Sequence, residues 1–159
     1  MFESLTKYIR SLECNGSRGE WIIDRERSGT AEDPKQMPFV AYDALAIAIG
    51  EAIYDFVDAH DEMQLTRYGE ILEENGISWS LEPMTEADVS HFDGRTVMAF
   101  LVGAVRAERF CDGALLSFFK NGCILRWLRR LEEIDGNTRD LTLSDVEGGA
   151  NVRRIHFHQ

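Results

Sequence analysis

The chain of 159 residues has few of the features that would fix a covalent framework or a reaction. Its three cysteines, Cys14, Cys111 and Cys123, are odd in number, widely spaced and without a C-x-x-C pair. That pattern fits reduced thiols rather than a disulfide framework or a zinc site. The longest apolar run, Val97 to Val105, is far too short to span a bilayer. The stretch Met1 to Leu12 mixes Glu3, Lys7 and Arg10 with apolar residues, so it lacks the uninterrupted core of a signal peptide. A cytoplasmic location without membrane association is therefore expected. There is no G-x-S-x-G, no P-loop, no G-x-G-x-x-G and no EF-hand loop. Gly148-Gly149 lacks the strand-to-helix context of a phosphate loop. No internal repeat or low-complexity tract is present. No cofactor and no metal are expected, and an enzyme is the less favoured class.

Between Glu51 and Asp93 the chain has only one base, Arg67. The same window holds twelve acids: Glu51, Asp55, Asp58, Asp61, Glu62, Glu70, Glu73, Glu74, Glu82, Glu86, Asp88 and Asp93. It therefore carries the whole formal net charge of −11, and the rest of the chain is neutral. Such segregation can steer a basic partner while repelling nucleic acid and anionic membranes.

What is present otherwise is ordinary for a globular domain: 44% hydrophobic and 28% charged residues, with enough length for one core. Phe2, Leu5, Ile9 and Leu12 recur at helical spacing, and Asn15-Gly16 stops that helix. Trp21-Ile22-Ile23 reads as a short strand, and Asp24 to Met37 as an exposed loop. Asp43 is an N-cap for a helix whose stripe is Leu45, Ile49, Ile53, Phe56 and Val57. Leu65, Tyr68, Ile71 and Leu72 mark the next helix, closed by Asn75-Gly76. Trp79 falls in a short extended stretch before Pro83. Thr85 with Asp88 resembles a capping box. Asp93-Gly94 is a turn, followed by a helix over Thr96 to Phe110 that is apolar on nearly all sides through Val105 and suits only a core. Asp112 is positioned to cap a short helix bearing Leu115, Leu116 and Phe119, ended by Asn121-Gly122. The last clear helix carries Ile124, Trp127, Leu128, Leu131 and Ile134 on one face and Arg126, Arg129 and Arg130 on the other. Leu141 to Asp145 and Val152 to His158 are candidate strands.

The segment Arg106-Ala107-Glu108-Arg109-Phe110-Cys111-Asp112-Gly113, followed by Gly122 to Leu131, carries a resemblance. It resembles an uncharacterised family of small bacterial domains, also found in mobile-element genomes, with an R-x-E-R-F-x-[DE]-G signature. The likeness covers Met84 to Asp135, and Tyr68 to Trp79 is similar too. It implies a soluble bacterial domain and no particular chemistry.

Two groups of residues are candidate sites. Glu51, Asp55, Asp58, Asp61, Glu62, Glu70, Glu73 and Glu74 are the candidate partner-binding set. With His60, the first of them could also approach a hard cation, but they lack the spacing of a metal loop, so a solvated face is the plainer reading. Arg106, Glu108, Arg109 and Asp112 are the candidate ligand set, able in principle to hold a carboxylate or phosphate. A cap at Asp112 with ion pairs from Glu108 and Arg109 accounts for the same residues structurally. Cys111 has no neighbouring His in sequence, and Asp112 opposes its thiolate. His91 has no adjacent nucleophile pattern. His156 and His158 alternate on one side of a strand, but two imidazoles are not a metal site. The arginines at 126, 129 and 130 are outweighed by the acids for nucleic-acid binding and are expected to face solvent or the acidic segment.

The expected fold is mainly α: a compact bundle of five or six helices around Thr96 to Phe110, with minor β. It divides into residues 1–41 (helix plus loop), 42–135 (helical core) and 136–159 (tail). The expected function is a non-enzymatic acidic interaction protein that binds a basic protein surface, in its sharpest form a phage- or mobile-element-encoded inhibitor of a nucleic-acid-handling machine. The alternative is a small-ligand-binding protein or enzyme built on Arg106, Glu108, Arg109 and Asp112.

Overall fold

A computed structural model describes residues 1–138, and they form a mainly helical fold with one small sheet on the amino-terminal side. The strands and paired histidines expected beyond Gly136, including His156 and His158, lie outside the described residues. The α-helices are α1 (Glu3–Thr6), α2 (Ile9–Glu13), α3 (Ala44–Ala59), α4 (Tyr68–Glu74), α5 (Leu81–Glu86), α6 (Gly94–Ala107), α7 (Ala114–Lys120) and α8 (residues 123–138). The strands β1 (Gly19–Ile22) and β2 (Phe39–Tyr42) pair antiparallel, Gly19 opposite Tyr42. The expected first helix is broken at Lys7-Tyr8, and β2 is an element that the sequence pattern does not predict.

Helix α6 is the axis of the core. Every residue from Thr96 to Val105 is buried. A helix apolar all round has no face for water, so α3, α4 and α7 pack against it. Asp93 starts it by accepting a hydrogen bond from the Thr96 N–H (2.9 Å), as Asp43 starts α3 through Ala46 (2.8 Å). Ile49, Ile53 and Phe56 form the buried stripe of α3. On α8, Trp127, Leu128 and Leu131 are fully buried, Trp127 between Phe100 and Phe118.

One local expectation is corrected. Thr85 does not open a helix: α5 begins four residues earlier, with Pro83 in its first turn, where a missing N–H is tolerated. Asp88 instead caps the short 3₁₀ turn Val89–His91 by accepting from the Ser90 N–H (3.0 Å). Hydrogen bonding from the Ser90 hydroxyl, followed by that from its N–H, holds the Asp88 carboxyl below its ordinary range. Of the two placements expected for the arginines of α8, the structure shows the second for Arg126 and Arg130: they reach the acidic segment, through its backbone carbonyls. Arg126 donates to the Thr85 carbonyl (2.7 Å), and Arg130 donates twice to the Phe92 carbonyl (3.2 and 3.1 Å). Arg129 pairs with Glu13. The cluster thus meets the acidic segment through its backbone.

Candidate functional site

The turn between α6 and α7 carries the R-x-E-R-F-x-[DE]-G residues, and its geometry follows from tight hydrogen bonds. The Arg109 and Phe110 N–H groups reach back three residues, to Arg106 and Ala107. That tightening ends α6 at Ala107 rather than at Phe110. Gly113 then takes a left-handed conformation (φ 88°) that reverses the chain into α7.

The four residues of the candidate ligand set do not converge. The Glu108 carboxylate accepts from the Gly113 N–H (3.0 Å) and the Leu115 N–H (2.9 Å), so it caps α7 from the preceding turn. The expected cap, Asp112, makes no such bond and is exposed, because the left-handed residue after it carries the helix start away from its side chain. The Arg106 guanidinium lies over the Tyr54 ring, 5.5 Å from its centre. Arg109 is exposed and has no ion-pair partner among the described residues. Tyr42 at the end of β2 completes the Glu108 arrangement. Its hydroxyl accepts from the Leu116 N–H (3.0 Å), and burial, followed by its hydrogen bond to Glu108, pushes the phenol pKa well up. Of the motif's charged residues, Glu108 is thus spent on joining β2, α6 and α7, and Arg106 lies against α3.

The same turn builds a cleft that the sequence does not reveal. Phe110, Trp79 and Trp21 come from distant parts of the chain and line one open cavity of about 420 Å³. Its floor is apolar, with Met84, Leu116 and Phe118. The Trp79 indole N–H donates to the Gly103 carbonyl (2.9 Å), and its ring meets Phe110 edge-on at 5.6 Å. Phe110 nevertheless remains 78% exposed and Trp21 45%. Cys111, Asp112 and Lys120 stand among the lining residues. Ser117, also in the lining, has its hydroxyl engaged by the Gly113 carbonyl (3.2 Å).

The candidate partner-binding carboxylates are placed as expected on the surface. Glu51, Asp55 and Asp58 are exposed on α3, Asp61 and Glu62 on the 3₁₀ turn after it, and Glu70, Glu73 and Glu74 on α4. Among the described residues only Glu70 of this set has an ion pair, with Arg67. Glu51 and Asp55 share a shallow groove with Lys7, Tyr8 and His60. The His60 ring stacks on Phe56 at 3.9 Å, and its Nδ1 lies 2.9 Å from the Phe56 carbonyl, so it is occupied locally. Among the described residues no three His, Cys, Asp or Glu side chains are grouped to hold a metal ion. None of the described helices is long and apolar enough to cross a membrane.

The chain belongs to the Family of unknown function (DUF6508), whose model matches residues 2–137. The match takes in α1, α2 and the β-hairpin as well as the helices to which the resemblance above was confined. No curated protein and no solved structure matches the chain.

Proposed function

We propose that the protein is a non-enzymatic interaction protein of the cytoplasm that presents its Glu51–Asp93 segment to a basic protein surface. The observation that carries this reading is the state of the carboxylates on α3, on α4 and on the 3₁₀ turn after α3. Seven of the eight candidates lack an ion pair among the described residues, and all are exposed. Crowding like charge costs stability, and a basic partner would offset that cost. The sharpest form of the proposal is a phage- or mobile-element-encoded inhibitor that occupies the nucleic-acid site of its target, because carboxylates at helical spacing can imitate a row of phosphates. At the alternative site the side chains of Arg106, Glu108, Arg109 and Asp112 do not converge, since Glu108 is engaged by backbone N–H groups and Arg106 by the Tyr54 ring.

The test is capture from a bacterial lysate at low and high salt, comparing the wild type with a variant carrying Asp55→Asn, Asp58→Asn, Glu70→Gln and Glu74→Gln. The captured partner is then purified and its association rate measured. Association is expected to be fast, to slow in the neutralised variant, and to weaken steeply with salt, since exposed charges are screened within ~8 Å at physiological ionic strength. Equal association rates for the two proteins at low salt would overturn the reading.

A further inference from the structure

We infer that the cleft lined by Trp21, Trp79 and Phe110 is the socket for one large apolar side chain of the basic partner, carried on a short segment flanked by Lys or Arg. The inference rests on the reading above and gives that partner an anchor as well as a charge.

Three large rings exposed around one concavity are costly in water, and they are held ready rather than collapsed. Trp79 is fixed by its hydrogen bond to Gly103, and the largely exposed Phe110 ring touches it edge-on. Trp21 is fixed against Gly113, where a side chain would overlap its ring. Rings held in place lose little conformational freedom on binding, which is how a pre-organised pocket gains affinity. The cavity, at about 420 Å³, is of the size that encloses a small ligand or a side chain with its neighbours. The indole N–H of Trp79 and the hydroxyl of Ser117 are already engaged within the protein. The cleft therefore selects by shape and apolar area.

Charge names the flanks. Trp79, Ser80, Leu81 and Met84 form one wall, and all four belong to the segment that carries −11. Glu82 is exposed on the same helix, and Asp112 is exposed in the opposite wall. Lys120 also lines the cleft and Arg109 is exposed next to Phe110, so the favoured side for a basic residue is that of α5, where Glu82 and Glu86 are exposed. An apolar anchor between basic residues would fill the socket and remain in the field of the acidic segment.

The test is fluorescence anisotropy with a labelled synthetic peptide holding one phenylalanine between pairs of lysines, beside its Phe→Ala and Lys→Gln versions. The lysine-phenylalanine peptide is expected to bind the wild type at low salt. Binding should fall about tenfold with the alanine peptide, and equally with Phe110→Ser or Leu81→Ser protein, as truncation of one buried anchor does. Equal binding of the Phe and Ala peptides, with no effect of Phe110→Ser, would overturn the socket and leave the acidic reading standing. A glutamine peptide that binds as well as the lysine peptide would overturn both the basic flanks and the acidic reading. Failure of every peptide to bind would overturn the inference. So would concentration-dependent dimerisation in sedimentation that Phe110→Ser abolishes, since the occupant would then be a second copy of the chain.

Discussion

The indole of Trp21 occupies the space that a side chain on residue 113 would need. Gly113 sits at the end of the R-x-E-R-F-x-[DE]-G turn with φ 88°, and a Cβ built there would overlap the Trp21 six-membered ring. The glycine thus answers two demands at once, the left-handed backbone and the docking of β1. This contact joins the hairpin to the turn and fixes one wall of the cleft.

Gly113→Ala should therefore destabilise the fold by about 1–3 kcal/mol, from strain in the left-handed backbone together with the clash. In a Trp21→Ala background the same substitution should cost only the backbone part, about 1–2 kcal/mol. Denaturant unfolding of the four proteins in a double-mutant cycle measures the difference. Additive costs would show that the ring contact contributes nothing.

Glu108 and Asp112 separate the observed cap from the expected one. Glu108→Ala leaves the Gly113 and Leu115 N–H groups without their acceptor and should cost about 1–3 kcal/mol. Asp112→Ala and Arg109→Ala, both at exposed positions, should stay within about 0.5 kcal/mol. Thermal unfolding of the three variants checks the order. A larger loss from Asp112→Ala than from Glu108→Ala would return the cap to Asp112.

Much of this arrangement was legible in the sequence where the cause is local. Asp43 is read as a cap because a short acceptor before an apolar run has one use within three residues, whereas Asp93 is read only as part of a turn and proves to cap α6 in the same way. Helix α6 is read as core because no face of it could meet water. The cap at Glu108 was not legible, since it depends on a chain reversal at Gly113 that brings a residue from five positions back. Strand β2 was missed because Phe39 to Tyr42 shows no alternation of polar and apolar residues, and its pairing with Gly19 to Ile22 crosses the charged loop. The cleft was beyond sequence reading for a similar reason. Phe110 is the last residue of the helix expected from the sequence, and only the tightened end of α6 turns it out to meet the Trp79 ring and share a cavity with Trp21.

Tyr42 gives the fold an alkaline sensitivity. Its folded pKa is raised by burial and by Glu108, so the unfolded chain loses the phenol proton first, near the ordinary value of about 10. The stabilisation is fully present below that pH and is lost as pH rises toward the folded pKa. The wild type should therefore lose more stability than Tyr42→Phe on moving from neutral pH to pH values above the ordinary phenol range. Parallel pH profiles for the two proteins, measured by urea unfolding, would exclude the role of this hydroxyl.

The core beneath the cleft should respond as close-packed cores do. Leu128 is fully buried on α8, and Leu128→Ala should cost about 2–5 kcal/mol through lost burial and a residual cavity. Ile47, exposed on α3, is the control, and Ile47→Ala should cost no more than about 0.5 kcal/mol. Comparable melting midpoints for the two variants would refute the packing.

The arginines of α8 provide the last separation, between a basic surface patch and a set of backbone clamps. Arg130 donates two hydrogen bonds to the Phe92 carbonyl, just before the capping residue of α6, and also pairs with the exposed Glu133, whereas Arg129 makes only an exposed pair with Glu13. Arg130→Met keeps most of the apolar stem but leaves that carbonyl without its charged donor. It should cost about 1–3 kcal/mol and loosen the entry to α6, visible as faster amide exchange around residues 93–97. Arg129→Met breaks only an exposed ion pair, worth about 0–1 kcal/mol and screened by salt. Added salt should therefore close the gap between wild type and Arg129→Met, while the deficit of Arg130→Met shrinks only by the part that its exposed pair with Glu133 supplies. If both variants converge on the wild type at high salt, Arg130 acts as a surface charge and the clamp on Phe92 has no energetic weight.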